Sequence, residues 1–146
     1  MIKKYEIKAI EVNSEFEFSD VKIRSSEDSE KIVRQIMAGD LVILESFVVL
    51  FLNQQHFVTA WAKISTGGIT ATVVDPIIVA KYAIDTLSKA VILAHNHPSG
   101  ALKPSNADFT LTNTIKEGLN LFTIRTLDHL IMGESGYFSF ADEGLI

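Results

Sequence analysis

At 146 residues, with 47% hydrophobic and 21% charged side chains, the chain has ordinary globular composition and the length of one domain, which excludes global disorder. Its 13 Lys and Arg against 18 Asp and Glu give a net charge of −5, which argues against a nucleic-acid binder working alone, because duplex binding rests on basic phosphate contacts. With no cysteine, a disulfide scaffold, a thiol nucleophile and a Cys-ligated zinc site are excluded, and any metal must be held by His, Asp, Glu and water.

Weak alternation through Tyr5, Ile7, Ala9 or Ile10 and Val12 predicts a strand, and Phe16, Phe18, Val21 and Ile23 a second extended segment. No apolar run follows the charged first residues, so no signal peptide is expected. Ser26-Glu27-Asp28-Ser29-Glu30 reads as a capped, solvated helix start. Ile32, Val33, Ile36 and Met37 then share one helical face, and Gly39 ends it. Residues 41–52, rich in β-branched and aromatic side chains, predict a strand interrupted by Glu45. This apolar stretch is shorter than the about 20 residues a bilayer span needs, so no membrane partner and a cytoplasmic protein are expected. Asn53-Gln54-Gln55 reads as a turn, residues 57–65 as the return strand, and residues 69–74 as a further strand of an antiparallel meander.

Asp75-Pro76 opens a helix, with Ile77, Ala80, Ala83, Ile84 and Leu87 at helical spacing. Residues 90–94 read as a buried strand, 95–104 as a loop, and 106–117 as a helix stopped by Gly118. Residues 119–126, 130–132 and 137–140 read as strands. The expectation is a mixed α/β chain that is one globular unit, with residues 1–39 as a strand and helix extension on a domain at 40–146.

The chemistry concentrates in Ala94-His95-Asn96-His97-Pro98-Ser99-Gly100, followed by Pro104-Ser105-Asn106-Ala107-Asp108. In extended backbone His95 and His97 face the same side and can reach one cation. Asp108, brought back by the loop, would complete a two-His, one-carboxylate set with a position left for water, the arrangement of catalytic zinc. Ser105 and Asp108 also read as a capping box, and the two readings are compatible. Glu45 in an apolar strand is either paired and functional or simply on a wet face. Asn96 points away from the two histidines and reads as a tie for the loop. Asp128-His129 reads as a strand-edge pair orienting a loop, with support of the metal ligands as the second reading. His56 reads as exposed in the hairpin turn, Trp61 as packing, and Lys103 as solvated.

Glu45 with His95, His97, Ser105 and Asp108 resembles the JAMM/JAB (MPN+) metalloprotease motif. The wider text, including Glu45-Ser46-Phe47, Asp128-His129-Leu130-Ile131 and Ser139-Phe140, resembles the RadC family over about residues 40–146. The resemblance implies a JAB1/MPN-like, cytidine-deaminase-like three-layer fold, a curved mixed sheet flanked by helices. It implies one Zn²⁺ on His95, His97 and Asp108, with Glu45 as general base and Ser105 stabilising the oxyanion. The implied activity is hydrolysis of an amide bond in a protein or peptide substrate. The alternative it carries is an accessory factor in DNA repair or a mobile element, binding DNA or a repair protein. The chain departs from the family at Ile77, where Arg is usual, and residues 1–39 do not show the Gly-rich hairpins of the helix-hairpin-helix segment many members carry. An open sheet edge could pair with a second copy, so a homo-oligomer is allowed.

Overall fold

The most apolar segments of the chain build the centre of one sheet. A computed structural model describes residues 1–4, 6, 12, 20–67 and 73–146. Within them lie α1 (Ser26–Met37), β1 (Ser46–Leu52), β2 (Val58–Thr66), α2 (Pro76–Asp85), β3 (Ala90–Asn96), α3 (Asn106–Asn120), β4 (Arg125–Met132) and β5 (Tyr137–Ser139). The five strands form one mixed sheet in the order β2-β1-β3-β4-β5, the mixed α/β class expected. β1 pairs antiparallel with both β2 and β3, β3 runs parallel to β4, and β5 returns antiparallel on β4. The parallel step needs a crossover, which α3 supplies.

Every residue of β1 and β3 is buried, because helices cover both faces of the sheet. Side chains alternate between two cores. Val48, Leu50, Leu52, Ile92, Ala94, Leu130 and Met132 meet Ile32, Val33, Ile36 and Met37 of α1. Phe47, Val49, Phe51, Val91 and Leu93 meet Val79 and Ala83 of α2 and Ile115 and Leu119 of α3. This parity decides which face each polar residue of β3 and β4 serves.

Helix α1 is capped by Ser25 rather than Ser26: the Ser25 side chain accepts the Asp28 N–H, with Glu27 and Asp28 in the first turn. Asp75 caps α2, accepting the Ile77 N–H at 3.0 Å, with Pro76 in the first turn. The buried face of α2 is Val79 and Ala83, whereas Ile77, Ile84 and Leu87 of the expected stripe are exposed. Of that stripe Ala80 and Ala83 face the core, where Val79 joins them. Gly118 does not stop α3, which runs to Asn120 because Leu119 continues the stripe of Thr112 and Ile115. The strand expected over 119–126 is therefore helix end and turn, with β4 starting at Arg125. The strand expected over 41–52 begins only at Ser46; residues 38–44 are turns, tied by Leu41 N–H to Met37 O and Leu44 N–H to Asp40 O.

In the β1–β2 hairpin, the Asn53 side chain accepts the Gln55 and Phe57 N–H groups, and His56 is half-buried at φ 66 rather than exposed. Of the expected N-terminal extended segment, residues 21–23 run against this turn through Val58 N–H to Val21 O and Ile23 N–H to His56 O. The strand through Tyr5 and Val12, the Phe16 and Phe18 part of the second segment, and most of residues 69–74 lie outside the described residues. Trp61 packs against the α1-side core.

Asp128 is buried in β4 and accepts from the His129 N–H at 2.7 Å, the Ala141 N–H at 3.0 Å and the Ser139 hydroxyl at 2.6 Å. Burial raises its carboxyl pKa, against these hydrogen bonds. Asp128→Ala strands these donors and is expected to cost at least about 2 kcal/mol in urea denaturation. Asp128→Asn keeps an acceptor for both N–H groups and can donate to Ser139, so it should cost much less. Equal losses for the two variants would contradict this account.

Candidate metal centre

Topology brings distant residues to one end of the sheet. The β1–β3 register sets Phe47 opposite His95, so Glu45, just before β1, falls beside His97, just after β3. Asp108 arrives from the first turn of α3, at the same end of β3. Glu45 therefore does not interrupt a strand; it sits half-buried where the turns give way to β1, and its backbone carbonyl accepts the Gly67 N–H. No core-burial cost has to be explained there.

His95 shares the parity of Val91 and Leu93 and points toward α3. The Phe47 ring stacks on it at 6.1 Å between centroids and 9° between planes. The Nε2 atoms of His95 and His97 are 3.0 Å apart. Asp108 Oδ1 lies 3.3 Å from His95 Nε2, and Asp108 Oδ2 lies 3.6 Å from His97 Nε2. Glu45, His95 and His97 form a group whose ligand atoms lie within 4.8 Å of one another, and this group could hold a metal ion.

The loop between His97 and Ser105 aims these groups. Gly100, at φ 81, makes the turn that donates its N–H to His97 O at 2.8 Å. The Ala101 carbonyl then lies 2.7 Å from His97 Nδ1. A carbonyl only accepts, so in the neutral ring the proton sits on Nδ1 and the lone pair of Nε2 faces Asp108. The capping box at α3 is present: Asp108 N–H donates to the Ser105 hydroxyl oxygen at 3.1 Å, and Ser105 N–H to Asp108 Oδ2 at 2.7 Å. Capping and facing the histidines are thus one arrangement of the same carboxylate. Ser105 itself is exposed and engaged with Asp108.

Electrostatics favour an ionised Asp108. Burial alone would raise its carboxyl, but the hydrogen bonds it accepts from His95 and His97 when those rings carry an Nε2 proton outweigh burial and hold it far below the usual carboxylate range. The Asp108 hydrogen bond raises the His97 pKa, opposed by burial and helped by Ala101 and by the charge of Glu45.

Asn96 has the opposite parity and points toward α1. Its Oδ1 accepts the Ser46 N–H at 2.8 Å and the Ser46 hydroxyl at 3.2 Å. Its Nδ2 donates to the carbonyls of Leu44, Leu41 and Asp40 at 2.8, 3.1 and 3.2 Å. The segment it ties is the turn leading into Glu45, rather than the loop after His97.

Of the expected strand-edge pair orienting a loop, only Asp128 orients one, holding the turn after β5 through Ser139 and Ala141, and β4 is not an edge strand. Asp128 and His129 are both buried inside β4, and their side chains leave opposite faces of the sheet. His129 faces the site: its Nε2 is 2.8 Å from His95 Nδ1, and its Nδ1 is 2.6 Å from Thr112 Oγ1. Burial holds its pKa well below the usual histidine range. Thr112 was not singled out in the sequence; its spacing of one helical turn after Asp108 was the available signal. Lys103 is exposed.

A family model described as "RadC-like JAB domain" matches residues 23–145. A "UPF0758 protein" of Flavobacterium johnsoniae is 44% identical over 124 residues, covering 85% of this chain and 53% of that protein. The "UPF0758 protein YfjY" of Escherichia coli K12 is 46% identical over 102 residues, covering 70% of this chain and 64% of that protein. A "UPF0758 protein" of Leptothrix cholodnii is 43% identical over 121 residues, covering 82% and 54%. The chain spans about half the length of most of these relatives. No helix among the described residues is long and apolar enough to cross a membrane. The matched residues take in the whole site, from Glu45 to His129, and the chain belongs to the RadC-like JAB domain family.

Proposed function

We propose that this chain is a zinc-dependent hydrolase of amide bonds, a metallopeptidase or isopeptidase acting on a protein or peptide in the cytoplasm. The observation that carries the reading is the spacing of the site. A tetrahedral zinc with bonds of about 2.0–2.1 Å places its ligand atoms about 3.3–3.4 Å apart. His95 Nε2 and His97 Nε2 are 3.0 Å apart, and the Asp108 carboxylate places Oδ1 3.3 Å from the first and Oδ2 3.6 Å from the second, each close to that value. Two imidazoles and a carboxylate are also the donor types zinc takes in catalytic sites. The residues therefore fit the ion, with His95, His97 and Asp108 as its ligands.

Zinc bound there would polarise a scissile carbonyl and lower the pKa of a water to about 7. Glu45 lies beside both histidines, where its carboxylate would take a proton from water and give it to the leaving nitrogen. Ser105 uses its oxygen as an acceptor in the cap, so its hydroxyl proton is available for the charge developing on the substrate oxygen. Phe47 shields the inner side of His95 from water. Glu45 and Asp108 are partly exposed and Ser105 is exposed, which suits a polypeptide approaching from outside rather than a small molecule enclosed in a cavity.

The test is metal content by mass spectrometry on untagged protein, beside His97→Ala. The expected result is about one zinc per wild-type chain, lost in the variant, followed by cleavage in a screen of peptide and isopeptide substrates. No zinc on the wild type, even after zinc is offered, overturns the reading.

A further inference from the structure

Behind His95 the structure holds a chain of hydrogen bonds that leads back to another residue of the site. His95 Nδ1 meets His129 Nε2 at 2.8 Å, His129 Nδ1 meets Thr112 Oγ1 at 2.6 Å, and Thr112 Oγ1 donates to the Asp108 backbone carbonyl at 2.6 Å. Water has little access to it: His129 is 0% exposed, Thr112 1% and His95 2%. We propose that Thr112 and His129 are positioning residues that keep the proton of His95 on Nδ1, so that the Nε2 lone pair faces the cation site, and that lock this ring to the first turn of α3. The inference rests on the zinc reading for its function but not for its geometry.

The direction follows from counting protons. A hydroxyl has one, and a carbonyl can only accept, so Thr112 spends its proton on Asp108. Its oxygen then accepts from His129 Nδ1–H. A neutral imidazole carries one N–H, so His129 Nε2 is left as an acceptor and takes the proton of His95 Nδ1. His95 Nε2 is then free of hydrogen, facing His97 Nε2 and Asp108 Oδ1. The reverse orientation would put a hydrogen on His95 Nε2, where the cation must sit.

The chain also closes a loop. It starts at the backbone of Asp108 on α3, crosses to β4 at His129, and ends on His95 of β3. A shift of the helix turn that carries the carboxylate is thereby transmitted to the imidazole. Asp128, the sequence neighbour of His129, takes no part, since its carboxylate is bound to Ser139 and Ala141 on the other face.

The experiment measures zinc affinity by competition with a chromogenic chelator for wild type, Thr112→Val and Thr112→Ser. Urea midpoints of the metal-free proteins are recorded alongside. Thr112→Val, which removes the hydroxyl and little volume, is expected to weaken zinc by about 10–100-fold. Thr112→Ser, which keeps the hydroxyl, is expected to restore most of that. A Thr112→Val protein that is less stable yet binds zinc as the wild type does would overturn the proposal, because a structural threonine predicts that outcome. A second arm reads long-range proton–nitrogen spectra of the histidine-labelled wild type, which needs no variant to fold. The proton of His129 is expected on Nδ1, and finding it on Nε2 overturns the relay. Should the wild type bind no zinc, the hydrolase reading fails while this spectrum still decides the relay.

Discussion

Glu45→Gln is expected to leave zinc content unchanged and to cut turnover by about 10²–10⁴-fold, the usual contribution of a positioned general base. The amide matches the carboxylate in size, but it carries a donor in place of one acceptor and cannot take a proton from water at neutral pH. Glu45 lies outside both cores and just ahead of β1, so its replacement removes no packing. Equilibrium unfolding should therefore shift by less than about 0.5 kcal/mol, as for substitutions that touch no core packing. Parallel assays of zinc content, urea midpoint and kcat separate the roles. A large fall in zinc content would make Glu45 a ligand rather than a base. Full activity would remove it from the mechanism.

Asn96→Asp should give the largest loss of stability, about 3–5 kcal/mol, the range for an uncompensated buried charge. Asn96 is fully buried, and its amide nitrogen faces the carbonyls of Leu44, Leu41 and Asp40. A carboxylate in that place sets oxygen against oxygen, and a protonated acid satisfies only one of those acceptors. The damage should reach the site, because the tied segment delivers Glu45. Protein that remains folded in the cold is expected to keep its zinc and lose turnover, since His95 and His97 are carried by β3 and the loop after it. Guanidinium denaturation and metal analysis test both parts; a cost below about 1 kcal/mol would show that these hydrogen bonds do not hold the segment.

Several expectations failed for a common reason. Residues 41–52 read as one strand because the composition is apolar throughout, yet residues 38–44 are turns that the Asn96 side chain holds from β3. Gly118 read as a stop, but packing of Leu119 against the sheet outweighs the about 1 kcal/mol that glycine costs a helix. On α2 the spacing put Ile77, Ile84 and Leu87 on one face with Ala80 and Ala83, but only the two alanines face the core. In each case a local preference lost to burial against a distant segment.

The amino-acid order alone determined the local chemistry: the pairing of His95 with His97 by the period of extended backbone, the Ser105–Asp108 cap, and the alternating cores of β3. Those features depend on neighbours a few residues apart, whose relative placement follows from backbone geometry. Only the tertiary structure decided the rest. It set Glu45 beside His97 through the β1–β3 register, turned Asp128 away from the site and His129 into it, and joined His129 to Thr112. Those relations depend on which strands pair and which face meets α3, and no spacing within one segment contains that information.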